Sequence, residues 1–284
     1  MAIFSNQATL SYSGGATSSN IAYGEILEVL AVSKTAIEGS YAPGALTTYV
    51  ITLRNTGNTA LSGVRATDDL GGYTLGASTV YPLTYENGSA TLFIDGVLQA
   101  PPAVTAGPPL VFSGITIPSG GDAVLVYQAR ANALADPAAD GEITNTVTVN
   151  ATGLSAPVTA SETVTATSAP TLTITKSISP SQVVDNDRVT YTFVIQNTGN
   201  QPITATDNAS VSDLFSPILS ALTVTFDGTP WSEGTEYTYD EGTGLFTTIP
   251  GQITVPAATY TQDPVTGEYT VTPGTATLVV TGTI

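Results

Sequence analysis

Apolar and polar positions alternate along short runs of this chain. Val29-Leu-Ala-Val-Ser-Lys34, Tyr49-Val-Ile-Thr-Leu-Arg-Asn55, Ala123-Val-Leu-Val-Tyr127 and Ile143-Thr-Asn145-Thr-Val-Thr-Val149 each place every second side chain on one face, the period of a half-buried strand. Gly, Asn or Pro bounds the runs, and no segment sustains a helical period. Short strands at regular spacing predict an all-β fold built as immunoglobulin-like sandwiches.

The pattern occurs twice. Lys34 and the turn Asn55-Thr-Gly-Asn58 recur as Lys176 and Asn197-Thr-Gly-Asn200, each displaced by 142 residues. Ala66-Thr-Asp68 matches Val211-Ser-Asp213, Ile115-Thr-Ile-Pro118 matches Ile253-Thr-Val-Pro256, and Ala123-Val-Leu-Val-Tyr127 matches Ala276-Thr-Leu-Val-Val280. A repeated supersecondary unit of this length predicts two tandem domains, spanning 29–168 and 169–284, behind a leading segment 1–28.

The copies differ at their ends. Repeat one continues through Ile143–Val149 and Val158-Thr-Ala-Ser-Glu-Thr-Val-Thr165, whereas no counterpart of this hairpin follows Val280. A segment of the same character stands at the start: Phe4-Ser-Asn6-Gln-Ala-Thr-Leu10-Ser-Tyr12, a Gly-Gly turn, then Ile21-Ala-Tyr-Gly-Glu-Ile-Leu27. Aligning Asn6 with Asn145 leaves 28 residues from Asn6 to Lys34 and 31 from Asn145 to Lys176. A sandwich without its last strands exposes an edge and an apolar groove. By analogy with the middle hairpin, the leading hairpin sits a domain length from the groove of its own subunit, so a neighbour's hairpin is expected to fill it. That contact is head-to-tail strand addition and generates a homopolymer. Phe4, Asn6, Ala8, Leu10 and Tyr12 are the inward face of the donated strand.

Composition narrows the chemistry. Charged residues make up only 10% of the chain, with 23 acids against 6 bases, and the formal charge of −17 repels phosphate backbones, so nucleic acid is not an expected partner. No apolar run is long enough to span a bilayer, so membrane insertion is not expected. With no His and no Cys, the usual catalytic and metal-ligating groups are missing, and neither an enzyme nor a cofactor or metal site is expected. The first residues carry no basic, apolar signal pattern, which leaves the export route open.

Only two lysines occur, at equivalent positions, and alternation turns both inward. Burial drives a lysine toward its neutral, nucleophilic form. Beside an asparagine carboxamide and a carboxylic acid, such an amine forms an isopeptide bond: it attacks the amide carbon, the acid shuttles protons, and ammonia leaves. The expected sets are Lys34, Asn145 and Asp68 within one chain, and Lys176, Asp213 and Asn6 of another subunit. Asp69, without an equivalent in repeat two, is second choice for the acid. A plain buried Lys-Asp ion pair is the alternative.

A strand ending in Lys, a Tyr-x-Phe/Val-x-Ile/Leu-x-Asn-Thr-Gly-Asn strand and turn, a Thr/Ser-Asp step and a final Asn-Thr-x-Thr-Val strand together resemble the conserved repeat domain, formally of unknown function, of bacterial and archaeal cell-surface proteins. The resemblance implies an immunoglobulin-like sandwich in stalks, adhesins and fibres, sometimes with Lys-Asn isopeptide cross-links, located outside the cell or on its surface. A non-polymerising adhesin is the second reading, and a two-carboxylate carbohydrate enzyme the third. Asp185-Asn-Asp187 and Asp240-Glu-Gly-Thr-Gly244 read as turns rather than calcium loops, and Trp231 as packing rather than a ligand anchor.

Overall fold

The computed structural model of the chain describes residues 2–26 and 28–284; Met1 and Leu27, both inside the expected donor segment, lie outside it. The described chain is all-β, with one short 3-10 turn at Ala205–Asp207. It divides into two compact units, one holding residues 1–136 and 142–165, the other 137–141 and 166–284.

In the first unit two sheets enclose the core. One orders its strands as Val97–Leu98, Thr91–Ile94, Asp122–Ala131, Leu46–Asn55, Leu30–Ala36, with Leu83–Tyr85 also on Asp122–Ala131. The other runs Ala103–Thr105, Leu110–Ile117, Leu61–Asp68, Glu142–Asn150, Val158–Ala166, Ser40–Tyr41. Strict alternation is visible in Asp122–Ala131 and Leu46–Asn55, whose inward residues Tyr49, Ile51, Leu53, Leu125 and Tyr127 are fully buried.

The second unit repeats the first sheet as Leu172–Ser179, Arg188–Asn197, Gly274–Thr283, Ser220–Phe226, Thr229–Trp231. The register repeats as well: Lys34 faces Ile51 and Lys176 faces Phe193. Among the described residues its opposing sheet consists of Ser212–Leu214, Leu245–Thr248 and Tyr237–Asp240. Phe193, Phe215, Phe226, Phe246 and Leu278 fill the core between them.

The repeated turn has a physical reason. Asn55 Oδ1 accepts from Gly57 N (2.9 Å), while Nδ2 donates to Thr59 O (2.8 Å) and Pro118 O (2.8 Å). Asn197 does the same with Gly199 N (2.9 Å), Gln201 O (2.7 Å) and Pro256 O (3.1 Å). The two repeated motifs, Asn-Thr-Gly-Asn and Ile-Thr-x-Pro, are thus halves of one buried polar clasp in which the amide satisfies carbonyls that would otherwise be orphaned. The Asp240–Gly244 segment is the expected hairpin loop, with Thr243 N and Gly244 N donating to Asp240 O, and Trp231 stacks on Phe226 at 4.9 Å.

The N-terminal segment is a two-stranded ribbon. Ala2–Asn6 pairs with Ala22–Ile26, and Thr9–Tyr12 with Gly15–Ser18. Reciprocal bonds of Ala8 and Ser19 join the halves, with Ser19 N donating to Ala8 O and Ala8 N to Ser19 Oγ. Phe4 lies across the ribbon on Gly24, where a Cβ would come within 2.2 Å of its ring. Ile3, Phe4, Leu10, Tyr12 and Tyr23 are all exposed, between 56% and 76%, which is far more apolar surface than a solvated ribbon of this size needs. Among the described residues no helix is long and apolar enough to cross a membrane.

Candidate functional site

Two sites built on the same positions stand in the two units. In the first, Leu61–Asp68 is paired on both edges: Asp68 faces Leu110 on one side and Val147 on the other. Glu142–Asn150 is held further by Asp69, whose N donates to Thr146 O and whose Oδ1 accepts from Thr146 N. With that strand in place, Lys34 and Asp68 have fully buried side chains, and Asn145 is buried beside them.

The polar atoms form a chain. Lys34 Nζ donates to Asp68 Oδ2 (2.6 Å); Tyr127 OH donates to the same oxygen (2.6 Å) and accepts from Asn145 Nδ2 (3.0 Å). Asp68 Oδ1 accepts from Leu70 N (3.0 Å). The Lys34 amine also sits 5.0 Å from the centre of the Tyr49 ring. Burial lowers the lysine's pKa from its ordinary value, and the neighbouring Asp68 only partly offsets it. Burial, reinforced by Asp68, pushes the Tyr127 hydroxyl well up. Asn145 Oδ1 makes no hydrogen bond although it is buried, which leaves the carbonyl carbon's oxygen free to change partners. A lysine deprived of water, a carboxyl group and a carboxamide in one dry pocket are the groups an amine-amide exchange requires.

In the second unit Lys176 Nζ pairs with Asp213 Oδ2, and the ammonium lies 4.5 Å from the centre of the Tyr191 ring, 5.5 Å from Phe193 and 5.3 Å from Phe215. Here the setting departs from the sequence expectation. Lys176 remains 39% exposed and Asp213 18%, although both lie on the face that is buried in the first unit. The cause is the sheet edge. Ser212–Leu214 pairs only with Leu245–Thr248, and among the described residues no strand occupies the side that Glu142–Asn150 takes in the first unit. Leu172, Ile174 and Ile178 are exposed in consequence, and an apolar groove of about 180 Å³ runs along Leu172, Ile174, Ile195, Val211 and Ile253.

The structure therefore brings Lys34, Asp68 and Asn145 together, and Lys176 with Asp213. Asn6 stands exposed on the N-terminal ribbon, in register with Ala22, among the exposed donor-face residues Phe4, Ala8, Leu10 and Tyr12. Asp69 holds a backbone rather than the lysine. Sequence reasoning missed Tyr127, the link between Asp68 and Asn145. Its signal was available, since Tyr127 shares the inward face of Ala123 and Leu125 and is matched in the second repeat by Val280, a change of polarity at a buried position. Among the described residues no three His, Cys, Asp or Glu side chains are placed to hold a metal.

No protein-family model matches the chain, and a search of curated proteins returns no significant match. Solved structures do resemble it. The major pilin subunit of Bacillus cereus is 12% identical with a TM-score of 0.36, over 96% of this chain and 73% of that one. The pilus backbone protein RrgB of Streptococcus pneumoniae is 13% identical at 0.35 over 86% of this chain, which spans only 55% of it. The collagen-binding subdomain of the Enterococcus faecalis surface protein ACE is 8% identical at 0.30, over 49% of this chain and 99% of that one. These are distant likenesses.

Proposed function

We propose that the chain is a non-enzymatic, structural subunit of an extracellular or surface fibre, which polymerises head-to-tail when the N-terminal ribbon of one copy completes the second unit of another. The observation that carries this reading is a pair of complementary exposures. The ribbon offers Phe4, Leu10 and Tyr12, the second unit offers Leu172 and Ile174 beside an unpaired edge, and the single chain leaves all of them in solvent. Burying each large apolar side chain contributes about 1.5–3 kcal/mol, and the added backbone pairing removes an aggregation-prone edge.

The first unit supplies the register. Val147 faces Asp68 and Thr148 faces Thr67. With Asn6 in the place of Asn145, Ala8 faces Asp213, Thr9 faces Ser212, and Leu10 enters the groove beside Val211. Asn6 then lies against Lys176 as Asn145 lies near Lys34. Two isopeptide bonds follow on this reading, Lys34–Asn145 inside a subunit with Asp68 as acid, and Lys176–Asn6 between subunits with Asp213. For a chain without cysteine they would replace disulfides as the covalent staple.

Size-exclusion chromatography and negative-stain microscopy test the assembly. The full chain is expected to form ladders or filaments, and a chain lacking residues 1–28 to run as a monomer with its first unit folded. Filaments from the truncated chain, or a strictly monomeric full chain, would contradict the reading; a monomer that binds a surface ligand would favour an adhesin instead.

A further inference from the structure

The Lys34 pocket contains a group that the three-residue cross-linking set leaves without a role. Tyr127 is fully buried, and its ring is fixed by Tyr49, stacked at 5.5 Å, and by Phe112 at 5.2 Å. Its hydroxyl stands between the acid and the nitrogen that would leave, 2.6 Å from Asp68 Oδ2 and 3.0 Å from Asn145 Nδ2. We propose that Tyr127 is a catalytic residue of the Lys34–Asn145 cross-link, relaying the proton from Asp68 to the departing amide nitrogen. The inference rests on the isopeptide reading above.

The step balances with one proton and no co-reactant. Neutral Lys34 Nζ attacks Asn145 Cγ, and the nitrogen of the resulting tetrahedral adduct gives one proton to Asp68 Oδ2, which it already touches. In that adduct Asn145 Nδ2 has become an amine with a lone pair. Once Asp68 is protonated, both hydrogen bonds of Tyr127 reverse: Asp68 donates to the phenol oxygen, and the phenol donates to Nδ2. The Cγ–Nδ2 bond breaks, the carbonyl re-forms, ammonia leaves, and Asp68 and Tyr127 return to their starting states. The raised phenol pKa suits the task, since the tyrosine never rests as a phenolate and passes a proton only as it receives another. The second unit has Val280 at this position, so its site lacks the relay.

Freshly synthesised protein, followed by intact mass as ammonia is lost, tests the proposal with Lys176→Ala in the background to isolate the first unit. Tyr127→Phe is expected to slow the reaction by about 100-fold or more, the usual contribution of a positioned proton donor. The variant's rate should also fall as pH rises, because the leaving nitrogen must draw its proton from solvent; a packing defect alone would lower the rate by one factor at every pH. A fluorinated tyrosine at position 127 keeps the shape and alters only the acidity, which covers a phenylalanine variant that fails to fold. The relay predicts a changed rate. Bond formation at the parent rate in either variant overturns the relay, whereas a parent protein that never loses ammonia overturns the cross-link itself.

Discussion

Asp68, the last residue of Leu61–Asp68, and Asp213, the middle residue of Ser212–Leu214, each stand beside the only lysine of their repeat, yet their surroundings diverge. Around Asp68 a strand lies on either side and the ion pair is buried; around Asp213 one side carries no strand among the described residues and the pair is partly exposed. Local sequence is nearly the same in the two places. One difference is the strand Glu142–Asn150, which pairs with Leu61–Asp68 in the first unit, where the lysine is buried. Desolvation is the largest influence on Lys34 in this covered setting.

Four changes break or sharpen this contrast. Asn145→Ala removes the only carboxamide of the first site, so the ammonia loss assigned to that unit should vanish. Cross-linking Lys34 to Asn145 closes a loop of just over a hundred residues, and the variant's first unit should lose about 4–5 kcal/mol in denaturant titration by the chain-entropy argument. Next, Ile174→Asp places a charge in the groove of the second unit. Ribbon docking should weaken by about 10- to 100-fold, the equivalent of one buried aliphatic side chain, as read from the concentration at which polymers appear, while the first unit melts unchanged.

The Asn clasp offers a control in which the units should behave alike. Asn55→Ala and Asn197→Ala each remove the donor from two partly buried carbonyls, and each should cost its own unit about 1–3 kcal/mol by thermal unfolding. The smallest effect is in pH. In Asn145→Ala protein Lys34 keeps its amine, and its folded pKa lies below the 10.5 of an unfolded lysine. Between those values the unfolded chain binds the extra proton, so raising the pH should stabilise the first unit, by at most about 1.4 kcal/mol per pH unit. Near 10 the trend should reverse, because unfolded tyrosine ionises there while folded Tyr127 does not.

Much of this was legible in the chain itself. Alternation gave the strands, the displacement of Lys34 onto Lys176 gave the repeat, and period two gave the face shared by Lys34 and its neighbours, because these are properties of single strands or of one repeat laid over another. Tyr127 escaped because its role depends on a distance across the sandwich, from one sheet to Asp68 and Asn145 on the other. The pairing of Asn55 with Pro118 O was hidden for the same reason: both motifs were visible, but not that one satisfies the other. The exposure of Lys176 was missed because alternation reports which face a side chain takes and says nothing of whether that face is covered.

The most direct test of strand donation exploits the absence of cysteine from the chain. Thr9→Cys in one copy and Ser212→Cys in another, coexpressed and oxidised, occupy the positions that Thr148 and Thr67 hold opposite each other in the first unit. The register proposed here predicts a disulfide-linked species between the two variants on a non-reducing gel, strong for this pair and absent when Thr9 is left unchanged. Failure of the pair to cross-link in protein that has formed filaments would contradict it.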